Sequence, residues 1–251
     1  MSDVIRFENI SKQYGQIQAL EDVSFAVENN DVLALIGDNG AGKSTLIKIL
    51  SGVTPQTSGE IHINGEKAEF ESYNDAETAG IQTVYQDLAI APNRTVAENI
   101  FLGNELLSET KIGQLLNFVD DRKMEVKSKE LLAQLELDLD PQTKVKNFSG
   151  GEQQSVAIAR ALQSDPDIII LDEPTSALSI DATQRILDLI TRLNDQGVTI
   201  ILISHSMEAV FEVANKAAIL ASGQLMGVED LKDVTEEELV GMMMGRAKNM
   251  Q

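Results

Sequence analysis

The run Gly37-Asp38-Asn39-Gly40-Ala41-Gly42-Lys43-Ser44, extended by Thr45, carries the pattern G-x-x-x-x-G-K-[ST] in full. Glycines at this spacing let the backbone curl so that successive N–H groups converge on an anion. Leu46-Ile47-Lys48-Ile49-Leu50 continues at helical spacing, so the anion also meets a helix N-terminus. Lys43 brings a point positive charge to phosphate oxygens, and the Ser44 hydroxyl is a hard oxygen ligand suited to Mg²⁺. The chemistry expected of Gly37 through Thr45 is the binding of a nucleotide phosphate.

A second cluster is acidic. Ile168-Ile169-Ile170-Leu171 ends in Asp172-Glu173, two carboxylates at the close of an apolar run. At the C-terminal edge of a parallel sheet they stand beside a phosphate loop. Asp172 is then the expected Mg²⁺ ligand and Glu173 the expected general base toward water. His205 closes another apolar run in Ile203-Ser204-His205; from the residues alone it reads either as a structural or surface histidine or as an imidazole that the same edge places near the terminal phosphate. The other histidine, His62, lies in a hairpin strand with nothing catalytic around it and is read as structural.

These groups need elements to hold them. Val4–Ile10 and Ala19–Val27 read as strands, and Val32-Leu33-Ala34-Leu35-Ile36 reads as a strand buried on both faces. Asn64-Gly65 signals a hairpin between Ile61-His62-Ile63 and Lys67–Phe70. From about Thr95 to Lys146 the character changes, with apolar residues at helical spacing over 122–137. Strand patterns resume at Ile168–Leu171, Val198–Ile203, Lys216–Ala221 and Gln224–Val228. A helix over 180–195 is expected to end near Gly197. Thr235-Glu236-Glu237-Glu238 has capping-box spacing for a terminal helix, one face of which Met242-Met243-Met244 packs. The expected fold is α/β, a mixed sheet with an antiparallel start.

Composition narrows the function. Forty acidic residues against 20 basic ones leave a formal net charge of −20 over 251 residues, which opposes non-specific attraction to nucleic acid or an anionic bilayer. With 43% hydrophobic residues the chain is not disordered, and with no cysteine it holds neither a disulfide nor a thiolate metal site. The opening MSDVIRFENI shows no leader pattern and no apolar run suits a membrane span, so a soluble cytoplasmic protein is expected. An acidic surface of this size also suits a salt-rich cytoplasm.

Phe148-Ser149-Gly150-Gly151-Glu152-Gln153-Gln154 lies ahead of the Asp172-Glu173 strand and opens a helix. It resembles the LSGGQ signature of ABC ATPases, and the resemblance runs from Ile5 to about Gly245. It implies a P-loop NTPase fold of the ABC ATPase type: a single domain over 1–251 with an antiparallel β subdomain and a helical subdomain inserted at about 95–163. It further implies that Tyr14 stacks on adenine, that Gln86 serves metal and catalysis, and that His205 is the switch histidine. Ser149, Gly150 and Gly151 then meet the ATP held by a partner subunit in a head-to-tail dimer.

The stretch from Gln86-Asp87-Leu88 to Phe101-Leu102-Gly103 is similar to ATPases of ribose, xylose and fructose importers. The expected function is therefore ATP hydrolysis driving monosaccharide uptake, with ATP and Mg²⁺ as cofactors. The implied partners are a second copy of the chain, integral permease subunits at the cytoplasmic membrane face and, indirectly, an extracytoplasmic sugar-binding protein, with no nucleic acid. A different cargo, or a non-transport ABC ATPase, are the alternatives. Phe148, Glu152 and Ser179 depart from the usual leucine, glutamine and D-loop aspartate.

Overall fold

The computed structural model describes residues 3–109 and 118–245. Its strands are β1 (Asp3–Tyr14), β2 (Ile17–Glu28), β3 (Val32–Gly37), β4 (Ser58–Ile63), β5 (Glu66–Ala68), β6 (Ile81–Val84), β7 (Ile168–Asp172), β8 (Thr199–Ile203), β9 (Lys216–Ala221) and β10 (Gln224–Asp230). Its helices, numbered among the described residues, are α1 (Lys43–Leu50), α2 (Tyr73–Thr78), α3 (Val96–Ile100), α4 (Asp121–Gln134), α5 (Gly150–Leu162), α6 (Ile180–Asp195), α7 (Met207–Val213) and α8 (Glu236–Met243). The chain divides into two compact units.

The first unit gathers Met1–Thr83, Asp167–Glu173 and Leu193–Gln251. It contains an antiparallel sheet of order β2-β1-β4-β5 and most of a six-stranded sheet of order β10-β9-β3-β8-β7-β6. In the latter β3, β7, β8 and β9 run parallel, and β10 returns antiparallel to β9. Leu33 and Leu35 of β3 face a core shared with Leu46 and Leu50 of α1 and with Ile5, Phe7 and Ile61 of the antiparallel sheet. Ala34 and Ile36 face the opposite core, against Val210 of α7 and Leu239 and Met242 of α8. Burial on both faces is why β3 reads as an unbroken apolar run. Met242 is buried in this core and Met243 packs against it.

The second unit comprises Val84–Pro166 and Pro174–Arg192. Here α3 packs against both α4 and α5. Helix α3 has only five residues, too few to stand alone, and opens with a capping box in which Thr95 and Glu98 satisfy each other's N–H groups. Asn99 on α3 is fully buried; its side chain accepts from Ala91 N–H at 2.7 Å and donates to the Ala91 and Thr95 carbonyls at 3.0 and 2.9 Å. The expected helix over 122–137 stops at Gln134, with Glu136 at φ 55° beyond it. Residues 110–117 of the expected helical insertion lie outside the described residues.

Candidate active site

Strand β3 delivers the chain to the glycine loop at Gly37, where an added Cβ would collide with the Leu220 carbonyl of neighbouring β9. At the loop's far end Gly42 takes φ 108° and precedes α1, which has no side-chain cap. Its first-turn N–H groups are therefore left for a ligand, in contrast to the capping boxes of α3, α5 and α8. The Lys43 ammonium folds back over the loop and donates to the carbonyls of Gly37 at 2.7 Å and Asp38 at 3.2 Å. Burial lowers its pKa from the ordinary lysine value, while the charges of Glu173, Asp38 and Asp172 pull the other way.

Parallel pairing brings the acids and the histidine to the same edge. Asp172 pairs with Ile203, and Ile203 with Leu35, so β3, β7 and β8 end together. The Glu173 N–H continues the ladder by donating to the Ile203 carbonyl at 2.9 Å. Glu173 sits at φ 52°, a left-handed backbone that non-glycine residues adopt at a cost. Its Oε1 is screened from solvent and has no hydrogen-bond partner among the described residues. The His205 Nε2 lies 3.3 Å from that oxygen, close enough for charge attraction but without hydrogen-bond alignment. Burial raises the pKa of Glu173, and the nearby His205 and Lys43 offset only part of the shift. Asp172 is likewise raised by burial, against the charges of Lys43, His205 and Lys48.

A buried oxygen without a partner, beside an imidazole, is suited to accept a proton from water. Asp172 and the exposed Ser44 hydroxyl form an all-oxygen donor set, and a divalent cation would relieve the burial penalty on the Asp172 carboxylate. These residues fit Mg²⁺. Tyr14 ends β1 with its ring 45% exposed, and Lys12 Nζ stands 5.0 Å from the ring centroid.

The remaining expected site residues belong to the second unit. Gln86 is exposed on the loop after β6. Sequence reasoning missed what holds that loop: the Arg160 guanidinium of α5 donates to the carbonyls of Leu88 at 2.6 Å and Ala89 at 3.0 Å. Ser149 caps α5, and its hydroxyl is engaged within the chain: the Glu152 carboxylate accepts from it at 2.6 Å and from the Ser149 N–H at 2.8 Å. These bonds, the hydroxyl first, hold the Glu152 carboxyl below its usual pKa. The Ser149-x-x-Glu152 spacing is itself the capping-box signal that could have revealed this. Gly151 is needed for close packing as well as for open N–H groups, since a Cβ there would stand 2.8 Å from Ala182 of α6.

Residues 20–176 match the family model described as ABC transporter. A xylose import ATP-binding protein of Geobacillus kaustophilus is 39% identical over 250 residues, which cover 99% of this chain and 48% of that protein. A ribose import ATP-binding protein of Caldanaerobacter subterraneus subsp. tengcongensis is 39% identical over 246 residues, 98% of this chain and 48% of its own length. The arabinose import ATP-binding protein of Chromohalobacter salexigens is 40% identical over 244 residues, 96% of this chain and 48% of that protein. The chain thus spans about half the length of these curated relatives. Among solved structures, an ATP-binding cassette of an ABC transporter in its ADP conformation superposes with a TM-score of 0.82 at 27% identity, covering 97% of this chain and 96% of the other. A dimeric cassette in a post-hydrolysis state with ADP and Pi gives 0.74 at 26% identity, covering 92% and 100%. By the match over residues 20–176, which holds the glycine loop, the signature motif and the strand-end carboxylates, the chain belongs to the ABC transporter family.

Proposed function

We propose that this chain is the ATP-hydrolysing subunit of an importer that drives a monosaccharide through a membrane permease. The observation that carries the reading is the unpartnered, solvent-screened Oε1 of Glu173, 3.3 Å from His205 Nε2, at the strand edge that also ends in the phosphate loop. ATP is the substrate; Lys43 and the N–H groups of Gly37 through Thr45 bind its phosphates, and Tyr14 stacks on its adenine. Glu173 takes a proton from water as the water oxygen bonds to the γ-phosphorus and the bond to the β-phosphate oxygen breaks. His205 holds the water and the γ-phosphate in place. Mg²⁺ would be held by Ser44 and Asp172 and would supply charge neutralisation on the phosphates.

Ser149, Gly150 and Gly151 serve the nucleotide of a second copy in a head-to-tail dimer, a reading supported by the dimeric cassette of similar fold. Monosaccharide cargo is supported by relatives named for xylose, ribose and arabinose import. A permease and an extracytoplasmic sugar-binding protein are the corresponding partners, at the cytoplasmic face of the membrane. The Glu173→Gln variant tests the chemistry. It is expected to bind ATP as the wild type does, to slow hydrolysis by about 100-fold or more, and to accumulate as an ATP-bound dimer in size-exclusion chromatography. Wild-type turnover by this variant would remove Glu173 from the base role.

A further inference from the structure

Strands β1 and β4 carry a second constellation on the face turned away from the core. Their alternation sends Ile5, Phe7, Ile61 and Ile63 inward and leaves Arg6, Glu8, Glu60 and His62 on the other side. Glu8 stands directly opposite Glu60, and His62 is two residues further along β4. Each glutamate divides its oxygens. Oε1 of Glu60 pairs with Lys67 at 2.9 Å and Oε1 of Glu8 lies 3.8 Å from Arg6. Both Oε2 atoms turn instead to His62 Nε2, at 3.6 Å from Glu60 and 3.7 Å from Glu8. That nitrogen is screened from solvent and has no hydrogen-bond partner among the described residues.

Both separations exceed the length of an N–H···O hydrogen bond, about 2.7–3.2 Å. They lie at and just beyond the upper end of the spacing of two atoms that share one ion, since ligand distances of about 2.0–2.2 Å at tetrahedral angles place neighbouring donors roughly 3.3–3.6 Å apart. The three donor atoms all lie within 4.8 Å of one another. We propose that Glu8, Glu60 and His62 bind one divalent transition-metal ion of the Zn²⁺ class, with water completing the shell. An imidazole ligand favours such an ion over Mg²⁺ or Ca²⁺, which take oxygen shells. The two carboxylates balance its charge, and Nε2 must be the unprotonated ring nitrogen, with the proton on Nδ1. Arg6 and Lys67 keep their hold on the Oε1 atoms, so the site forms without breaking either ion pair. Bound metal would tie β1 to β4 beside the register shift that follows Glu8.

The test uses the full chain, nucleotide-free and in excess Mg²⁺, in a His205→Ala background that leaves His62 as the one imidazole. Zn²⁺ is titrated by calorimetry, Co²⁺ by visible d–d absorption, and the imidazole is followed by NMR. One equivalent is expected, with loss of the His62 titration, and His62→Gln is expected to weaken binding by about 100-fold or more. Glu8→Gln keeps the imidazole and removes one charge, so weakened Zn²⁺ uptake with an unchanged circular dichroism spectrum separates lost binding from lost folding. In the His205-containing protein, His62→Gln is expected to leave Mg²⁺-dependent ATP hydrolysis unchanged. Equal Zn²⁺ and Co²⁺ uptake with and without His62, or a His62 that still titrates in saturating Zn²⁺, overturns the proposal and leaves an imidazolium–carboxylate ion pair only.

Discussion

Asp172 and Glu173 are both pushed toward their neutral forms by burial, yet the proposed chemistry needs both ionised. A group whose pKa is higher in the folded protein contributes stability that is full below its unfolded pKa and is lost as pH rises through the folded value. Above the folded pKa values the ionised pair therefore weakens the ligand-free fold. Glu173→Gln, uncharged at every pH, is expected to raise the melting temperature at pH 7 by about 2–4 °C per kcal/mol regained. That advantage shrinks as pH falls through the raised folded pKa toward the ordinary carboxylate value, below which the wild type is protonated; a melting curve taken across pH for both proteins checks it. That Asp172, Glu173 and His205 fall at the edge where β3 enters the glycine loop was readable, because the apolar runs that end in these residues mark where buried parallel strands stop. The return of Lys43 to the Gly37 and Asp38 carbonyls, and the engagement of Ser149 by Glu152, depend on backbone angles and rotamers that spacing does not encode.

Short elements here stand on polar anchors, and these were the least readable. Helix α2 buries only Ala76, so it offers no apolar period; the Asp75 carboxylate holds its start by accepting from Ser72 and Glu71. Strand β6 places Gln82 and Thr83 in buried positions, and Gln82 is satisfied by Tyr73 and Glu77 rather than flagged by alternation. By contrast β3, β7 and β8 announce themselves as apolar runs, and α8 by its capping box. The loop that carries Gln86 depends on two anchors of this kind, Arg160 at Leu88 and Ala89, and Asn99 at Ala91. Asn99→Ala strands the Ala91 N–H and empties a fully buried site. A loss of about 2–3 kcal/mol is expected in urea unfolding, together with slower ATP hydrolysis at unchanged ATP affinity.

Over the whole molecule the net charge of −20 works against compactness, because like charges repel most in the folded state. Salt screens that repulsion over about 10 Å at 0.1 M and about 3 Å at 1 M. The melting temperature is accordingly expected to climb as KCl is raised from low concentration toward molar, and a flat response would show that the charges are already locally compensated. The proposed substrate ATP, itself an anion, would meet a local field of opposite sign at Lys43 and the open N–H groups of α1. Global acidity thus shapes solubility and salt response, while binding is decided at the loop.

The left-handed backbone at Glu173 leaves a mark on how this position can evolve. Glycine or asparagine fills such a conformation with less strain, so neutral drift under pressure for foldability alone runs away from glutamate. On the proposed reading, demand for turnover holds the carboxylate there. A library randomised at this codon and sorted for thermal resistance is expected to enrich glycine and asparagine. The same library sorted for ATP consumption is expected to return glutamate.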